Sequence, residues 1–288
     1  MNWKCLATVS ALTAVGATAC GGASGAGSAA PKAEDATANK SPEAKMDDPS
    51  PKPTIALIHG AFADSSSWNG VVQRLQQRGY PVIAPPNPLR GIESDAASVA
   101  SVLKTVQGPI VLAGHSYGGM VISEAAKSVP AVKALVYVAA FLPEPGDSAI
   151  GLTTKFPGSK LAPTTTNPVP YATPSGGKGV DTYIKPDASR DVFAADLPAS
   201  TTAILAATQR PIEGSALGGP FPGTPAWKTI PSWALVARAD QAIPAECERF
   251  MAARAKARVV EVDASHAVLV SRPDAVADLI VQAAQGAR

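Results

Sequence analysis

Six short apolar runs, separated by stretches with helical spacing, constrain this chain more than any other feature. They fall at 54–58 (TIALI), 80–84, 109–114 (PIVLAG), 132–139 (VKALVYVA), 233–237 and 258–262. Near-continuous apolar strands belong to parallel sheets covered on both faces. Between them, 68–78 sets Trp68, Val71, Val72 and Leu75 at helical spacing and closes on Gly79. Residues 94–107 start at Ser94 as a cap and line up Val99, Val102, Leu103 and Val106. Further helices are expected at 117–129, 245–255 and 271–285. The predicted fold class is α/β, a mostly parallel central sheet flanked by helices.

The alternation breaks over about 143–231, which is rich in Gly, Pro and Thr and offers one helix, at 188–210. This segment has too few large apolar residues for a core of its own. It reads as an inserted cap at the loop ends of the sheet, within one domain spanning 54–288. At 288 residues, 46% hydrophobic, 17% charged and net charge +2, the chain is neither disordered nor a multi-pass membrane protein. So small a charge gives no reason to expect a nucleic-acid partner. Three cysteines and three histidines, with no CxxC, offer neither a disulfide scaffold nor a metal cluster, and no cofactor is expected.

The N-terminus reads as an address. Residues 1–19 (MNWKCLATVSALTAVGATA) have a short positive start at Lys4 and a weakly apolar stretch, a signal-peptide pattern rather than a span. Small residues then precede Cys20, Gly21 and Gly22, which resembles a bacterial lipoprotein processing site with Cys20 as the lipid-bearing residue. Residues 20–53 have almost nothing to bury and five prolines from Pro31 to Pro53, so they are expected to form an extended tether. The expectation is export and lipid anchoring to a bacterial envelope membrane, or else secretion. Oligomeric state is not legible.

The chemistry centres on Gly114-His115-Ser116-Tyr117-Gly118, a G-x-S-x-G between a strand and a helix. That context places a serine on a sharp, strained turn, with small neighbours so that adjacent backbone can approach. Amides of the helix's first turn point at the same spot. Ser116 is therefore the candidate nucleophile. Of the histidines, His115 adjoins Ser116 on the turn and points away from its oxygen. His59 ends the first strand, where it braces a loop. His266, in VVEVDASHAVLV, follows a strand at the carboxyl edge that also carries Ser116, and is the candidate general base. Its orienting carboxylate is Asp240, just past the strand at 233–237, with Asp263 as the rival and Glu261 inside a strand. The order Ser, Asp, His fits Asp240. Backbone amides of Tyr117 and of Ala61 or Phe62 are the candidate oxyanion donors.

HGAFADSSSW and GHSYGG carry a resemblance to the α/β-hydrolase superfamily over about residues 54–286. The chain is most similar to its small-esterase and hydroxynitrile-lyase branch, and to uncharacterised bacterial members with HGAFADxSSWxxV, NPLRG, KALVYVAAF and DASHAV. The resemblance implies Ser116 as nucleophile, His266 as base, Asp240 as acid and Ala61 as the first oxyanion donor. Ala267 stands where plant hydroxynitrile lyases carry a lysine, which argues against cyanohydrin chemistry. A serine at 116, not an aspartate, argues against epoxide hydrolases and haloalkane dehalogenases.

The expected activity is hydrolysis of small to medium apolar carboxylic esters through an acyl-enzyme. Phe62, Tyr117, Phe141, Leu142 and Trp227 are expected to line the substrate pocket, with Phe156, Tyr171, Tyr183, Phe193 and Trp233 as further candidates. The alternatives are a cofactor-free perhydrolase or haloperoxidase on the same three residues, a non-catalytic surface binding protein, and a structural envelope lipoprotein. Cys247 reads as a helix packing residue.

Overall fold

Parallel strands build the centre of the fold. A computed structural model describes residues 51–173 and 176–286. The signal-peptide, Cys20 lipidation and most of the tether expectations lie outside the described residues. The strands are β1 (Thr54–Ile58), β2 (Val82–Ile83), β3 (Ile110–Ser116), β4 (Val132–Ala140), β5 (Thr166–Ala172), β6 (Lys178–Ile184), β7 (Ile212–Glu213), β8 (Ser232–Ala237) and β9 (Arg258–Val262). The helices are α1 (Asn69–Gln77), α2 (Ile92–Leu103), α3 (Gly118–Ala125), α4 (Ala149–Thr154), α5 (Ser189–Phe193), α6 (Ala199–Thr208), α7 (Gly214–Gly218), α8 (Ala245–Arg254), α9 (Val268–Ser271) and α10 (Pro273–Gly286).

The main sheet has six strands in the order β2-β1-β3-β4-β8-β9, all parallel. Its two faces explain the unbroken apolar strands. Ile55, Leu57, Val111, Ala113, Val136 and Val138 pack on Trp68, Val71, Val276 and Ile280, from the first helical turns and α10. The alternate residues Ala56, Leu112, Leu135 and Tyr137 pack on Val99, Leu103, Met120 and Val121 of α2 and α3. Each fully buried Val, Leu, Ile or Met among them contributes about 1.5–3 kcal/mol. The strand order reverses between β1 and β3, and a parallel sheet opens a crevice at the carboxyl ends of such a pair.

Between β4 and β8 lies the cap, where the sequence expectation needs two corrections. The single helix at 188–210 is instead α5 and α6, because Pro198, whose ring cannot continue a helix from behind, stands at the N-cap of α6. A three-stranded antiparallel sheet, β5-β6-β7, was not anticipated. β5 contains Pro168 and Pro170, which lack the N–H of a ladder, yet β5 is an edge strand where that loss is tolerated. Smaller differences lie at α2, which starts at Ile92 rather than Ser94, and at the last helix, split into α9 and α10 before Pro273. Among the described residues no helix is long and apolar enough to cross a membrane.

Candidate active site

Ser116 ends β3 and Tyr117 leads into α3. Ser116 has φ 54°, left-handed backbone that a β-carbon makes costly. Close packing enforces it. A methyl group at Gly114 would lie 2.6 Å from the Gly118 carbonyl oxygen, and one at Gly118 would lie 2.6 Å from that of Ile58. The loop after β1 presses equally close, since a methyl group at Gly60 would lie 2.7 Å from Ser116 Cβ. Ser116 is 7% exposed. Among the described residues its hydroxyl makes no hydrogen bond, so the oxygen faces the cavity unengaged.

His266 follows β9 in the loop before α9. Its Nδ1 lies 2.5 Å from Asp240 Oδ2, with both side chains buried. Asp240 is positioned by the turn into α8, where its Oδ1 accepts the amides of Ala242 (2.7 Å) and Ile243 (2.8 Å). Those bonds satisfy a charged carboxylate away from water. Asp263, the rival carboxylate, is exposed and pairs with Arg238 at 3.0 Å. The cap reaches this loop too. The Phe193 carbonyl accepts Ala267 N–H (2.9 Å), and Asp196 accepts Ser265 Oγ–H (2.5 Å). The Phe193 ring meets the His266 imidazole edge-on at 4.9 Å.

Among the described residues the backbone amides of Ala61 and Tyr117 have no acceptor. Phe62 corrects the sequence expectation: its N–H donates to the Arg210 carbonyl at 3.0 Å, so it is not available as an oxyanion donor. Its φ of 60° belongs to the same tight turn.

The other two histidines are structural. His59 Nδ1 donates to the Gly60 carbonyl and Nε2 accepts the Asn87 amide, both at 2.9 Å, which braces the loop after β1. Burial pushes its pKa below the usual imidazole range. His115 is fully buried and neutral for the same reason, its pKa well below the ordinary value. Its Nε2 donates to the His266 carbonyl. Behind Tyr117, the buried Asp95 accepts the tyrosine O–H (3.0 Å) and the amides of Arg90 (2.9 Å) and Gly91 (3.3 Å). The start of α2 is thus tied by Asp95, not by a Ser94 cap, and desolvation raises the Asp95 carboxyl pKa.

Ser116 and His266 open onto one cavity of about 300 Å³. Ala61, Phe62, Tyr117 and Phe141 line its core side, and Ala242 and Ile243 flank it. The cap supplies the rest, among them Ile150, Thr153, Leu161, Thr182, Phe193 and Leu217. Two expected lining residues do not reach it. The Leu142 amide turns to the Met251 sulfur (3.4 Å). Trp227 donates Nε1–H to the Pro143 carbonyl (2.8 Å), and the Lys228 ammonium covers its ring. Phe156 packs on Phe250, Tyr171 on Arg90, and Trp233 under Arg258, all outside the cavity, as is Tyr183. The cap liners from α4 and α7 went unread because those helices are too short to show a periodicity. Cys247 packs as expected, its Sγ–H on the Leu152 carbonyl, with burial pushing the thiol pKa up to about 12.

Comparison with known proteins places the fold in a family. The alpha/beta hydrolase family model matches residues 55–279. A pyrethroid hydrolase of Sphingobium wenxiniae is 28% identical over 251 residues, 78% of this chain and 85% of that protein. A carbendazim hydrolyzing esterase of Nocardioides sp. is 31% identical over 114 residues, 35% of this chain and 47% of that protein. Among solved structures, polyneuridine aldehyde esterase superposes with a TM-score of 0.69 at 18% identity, over 80% of this chain and 98% of that one.

Proposed function

This chain belongs to the alpha/beta hydrolase family, and we propose that within it the protein is a serine carboxylic-ester hydrolase for apolar, uncharged esters. One observation carries the reading: Ser116 and the Asp240-backed His266 share a single, mainly apolar cavity. The pyrethroid hydrolase and carbendazim hydrolyzing esterase support it as relatives.

The chemistry follows from the groups in place. Ser116 Oγ attacks the ester carbonyl carbon while His266 Nε2 takes its proton. Asp240 keeps the imidazole's Nδ1–H pointed at itself and stabilises the imidazolium. The carbonyl oxygen, now an anion, receives the free amides of Ala61 and Tyr117. A well-aimed donor of this kind is worth about 3–4 kcal/mol in the transition state. His266 returns the proton to the leaving alkoxide, which departs as the alcohol. Water, deprotonated by His266, then attacks the acyl-enzyme, and the acid leaves as Ser116 recovers its proton.

The cavity sets the substrate class. Its volume is at the small end of ligand sites, and among the described residues no lysine, arginine, aspartate or glutamate lines it. A charged acyl or alcohol group would be desolvated there without a partner.

The test is hydrolysis of p-nitrophenyl esters from acetyl to decanoyl by wild type and Ser116→Ala. Turnover that falls by about four to six orders of magnitude in the variant supports the reading. Equal inactivity of both across the series sinks it. Peroxide-dependent peracid formation, or absence of any reaction with a fluorophosphonate, would then point to the perhydrolase or binding readings.

A further inference from the structure

Glu248 is a buried carboxyl that the ester mechanism leaves unused. It lies on α8, eight residues after Asp240, on the stripe formed with Cys247, Met251 and Ala252 that packs against the sheet. It is 2% exposed. Its Oε2 accepts the Ala237 amide at 3.2 Å, while its Oε1 has no donor among the described residues. Asp240 is anchored on the same residue, its N–H donating to the Ala237 carbonyl at 3.1 Å while Ala237 N–H donates to Glu248, and the two buried carboxyls lie within electrostatic reach of each other.

Two buried carboxyls within such reach cannot both be ionised at modest cost, so one holds a proton. The donors decide which. Asp240 receives two amides and the His266 imidazole, three bonds that all favour its charged form. Glu248 receives a single amide. An orphaned acceptor oxygen also stops being an orphan once it carries hydrogen and faces a carboxylate.

We propose that Glu248 is a positioning residue, a neutral acid whose Oε1–H donates to the Asp240 carboxylate and holds it for His266. The inference rests on the reading of Asp240 and His266 given above. Burial and the Asp240 charge both raise the Glu248 pKa well above the usual carboxyl range, which is consistent with it. The surrounding charges do not neutralise it. Arg249, on the same helix, is committed to Glu246 and Glu261, and Arg254 to Asp147. The Cys247 thiol stays protonated on the Leu152 carbonyl, and His115, against His266, is neutral. A neutral donor on Asp240 draws off part of its charge, so removing that donor strengthens the Asp240–His266 pairing.

Glu248→Gln keeps a donor that cannot ionise, and Glu248→Met removes it at similar volume. The readouts are the acid limb of kcat/KM against p-nitrophenyl butyrate, the pH dependence of Ser116 labelling by a fluorophosphonate, and the infrared C=O stretch of protonated carboxyls. Glu248→Met should lower kcat about tenfold and move the acid limb up by about half a pH unit or more. Glu248→Gln should restore most of both, and lose one protonated-carboxyl band at neutral pH. A wild-type limb and rate in Glu248→Met overturns the proposal. So does a downward shift in Glu248→Gln, which would mean that Glu248 is ionised in the wild type, or an unchanged infrared band. If Glu248→Met fails to fold, the Glu248→Gln limb and band still decide. If the wild type hydrolyses no ester, labelling and infrared test the carboxyl pair separately from the ester reading.

Discussion

His115 Nε2 donates to the carbonyl oxygen of His266 across 2.9 Å, so the residue beside the elbow serine holds the backbone of the candidate base. The two imidazoles lie 4.7 Å apart, and Trp68 and Phe193 box in the His115 ring. His115→Ala should remove this tie and leave a hole. The expected cost is about 1–3 kcal/mol of stability and about a tenfold loss of kcat/KM. Denaturant unfolding and ester kinetics on the same sample check both. Unaltered kinetics in a folded variant would show that the loop holds His266 without it.

The two candidate carboxylates separate cleanly by mutation. Asp240→Asn cannot stabilise an imidazolium, and kcat should fall by about four orders of magnitude. Asp263→Asn breaks an exposed pair with Arg238, and activity should stay within about twofold, as surface pairs are worth little. A reversed ranking would reassign the acid.

The cavity walls predict selectivity. Leu217 faces the cavity from the cap, whereas Trp227 does not. Leu217→Trp should shift the preferred acyl chain toward shorter esters, and Trp227→Phe should leave the preference where it is. The p-nitrophenyl series measures both, and a chain-length shift only in the Trp227 variant contradicts the assigned walls.

Glu248 also predicts how stability varies with pH. Its folded pKa lies well above the ordinary glutamate value of 4.5, so the unfolded chain releases this proton first. The stability it contributes is fully present below about 4.5 and is lost as pH rises toward the raised folded value. Glu248→Gln removes that loss. Its melting temperature relative to wild type should therefore climb as pH rises above about 4.5. A pH-independent difference would argue that Glu248 is ionised in the folded protein. His59 and His115 act in the opposite sense. Their folded pKa values lie below 6.5, so their contribution is lost as pH falls through that value toward the folded one in both proteins.

The sequence by itself determined the parallel sheet and the place of its candidate site. Apolar runs such as TIALI and PIVLAG are buried on both faces, and that leaves a mark in every residue. The elbow at Ser116 was equally legible, because a strained turn between strand and helix admits few residues at 114 and 118. His266 and Asp240 were legible because both follow strands of the same sheet edge. What the tertiary structure alone decided depends on partners distant in sequence. β5, with Pro168 and Pro170, is a strand only because it lies at the edge of its sheet. Phe62 loses its role as a donor only because Arg210 folds back to accept its amide. Leu142 and Trp227 turn from the cavity toward Met251 and Pro143. Glu248 reads as one more charge on a helix, and only its burial against Asp240 makes it a neutral acid. Local backbone and burial preferences are written residue by residue. A lining, a hydrogen-bond partner or a protonation state is fixed by what the rest of the chain brings alongside.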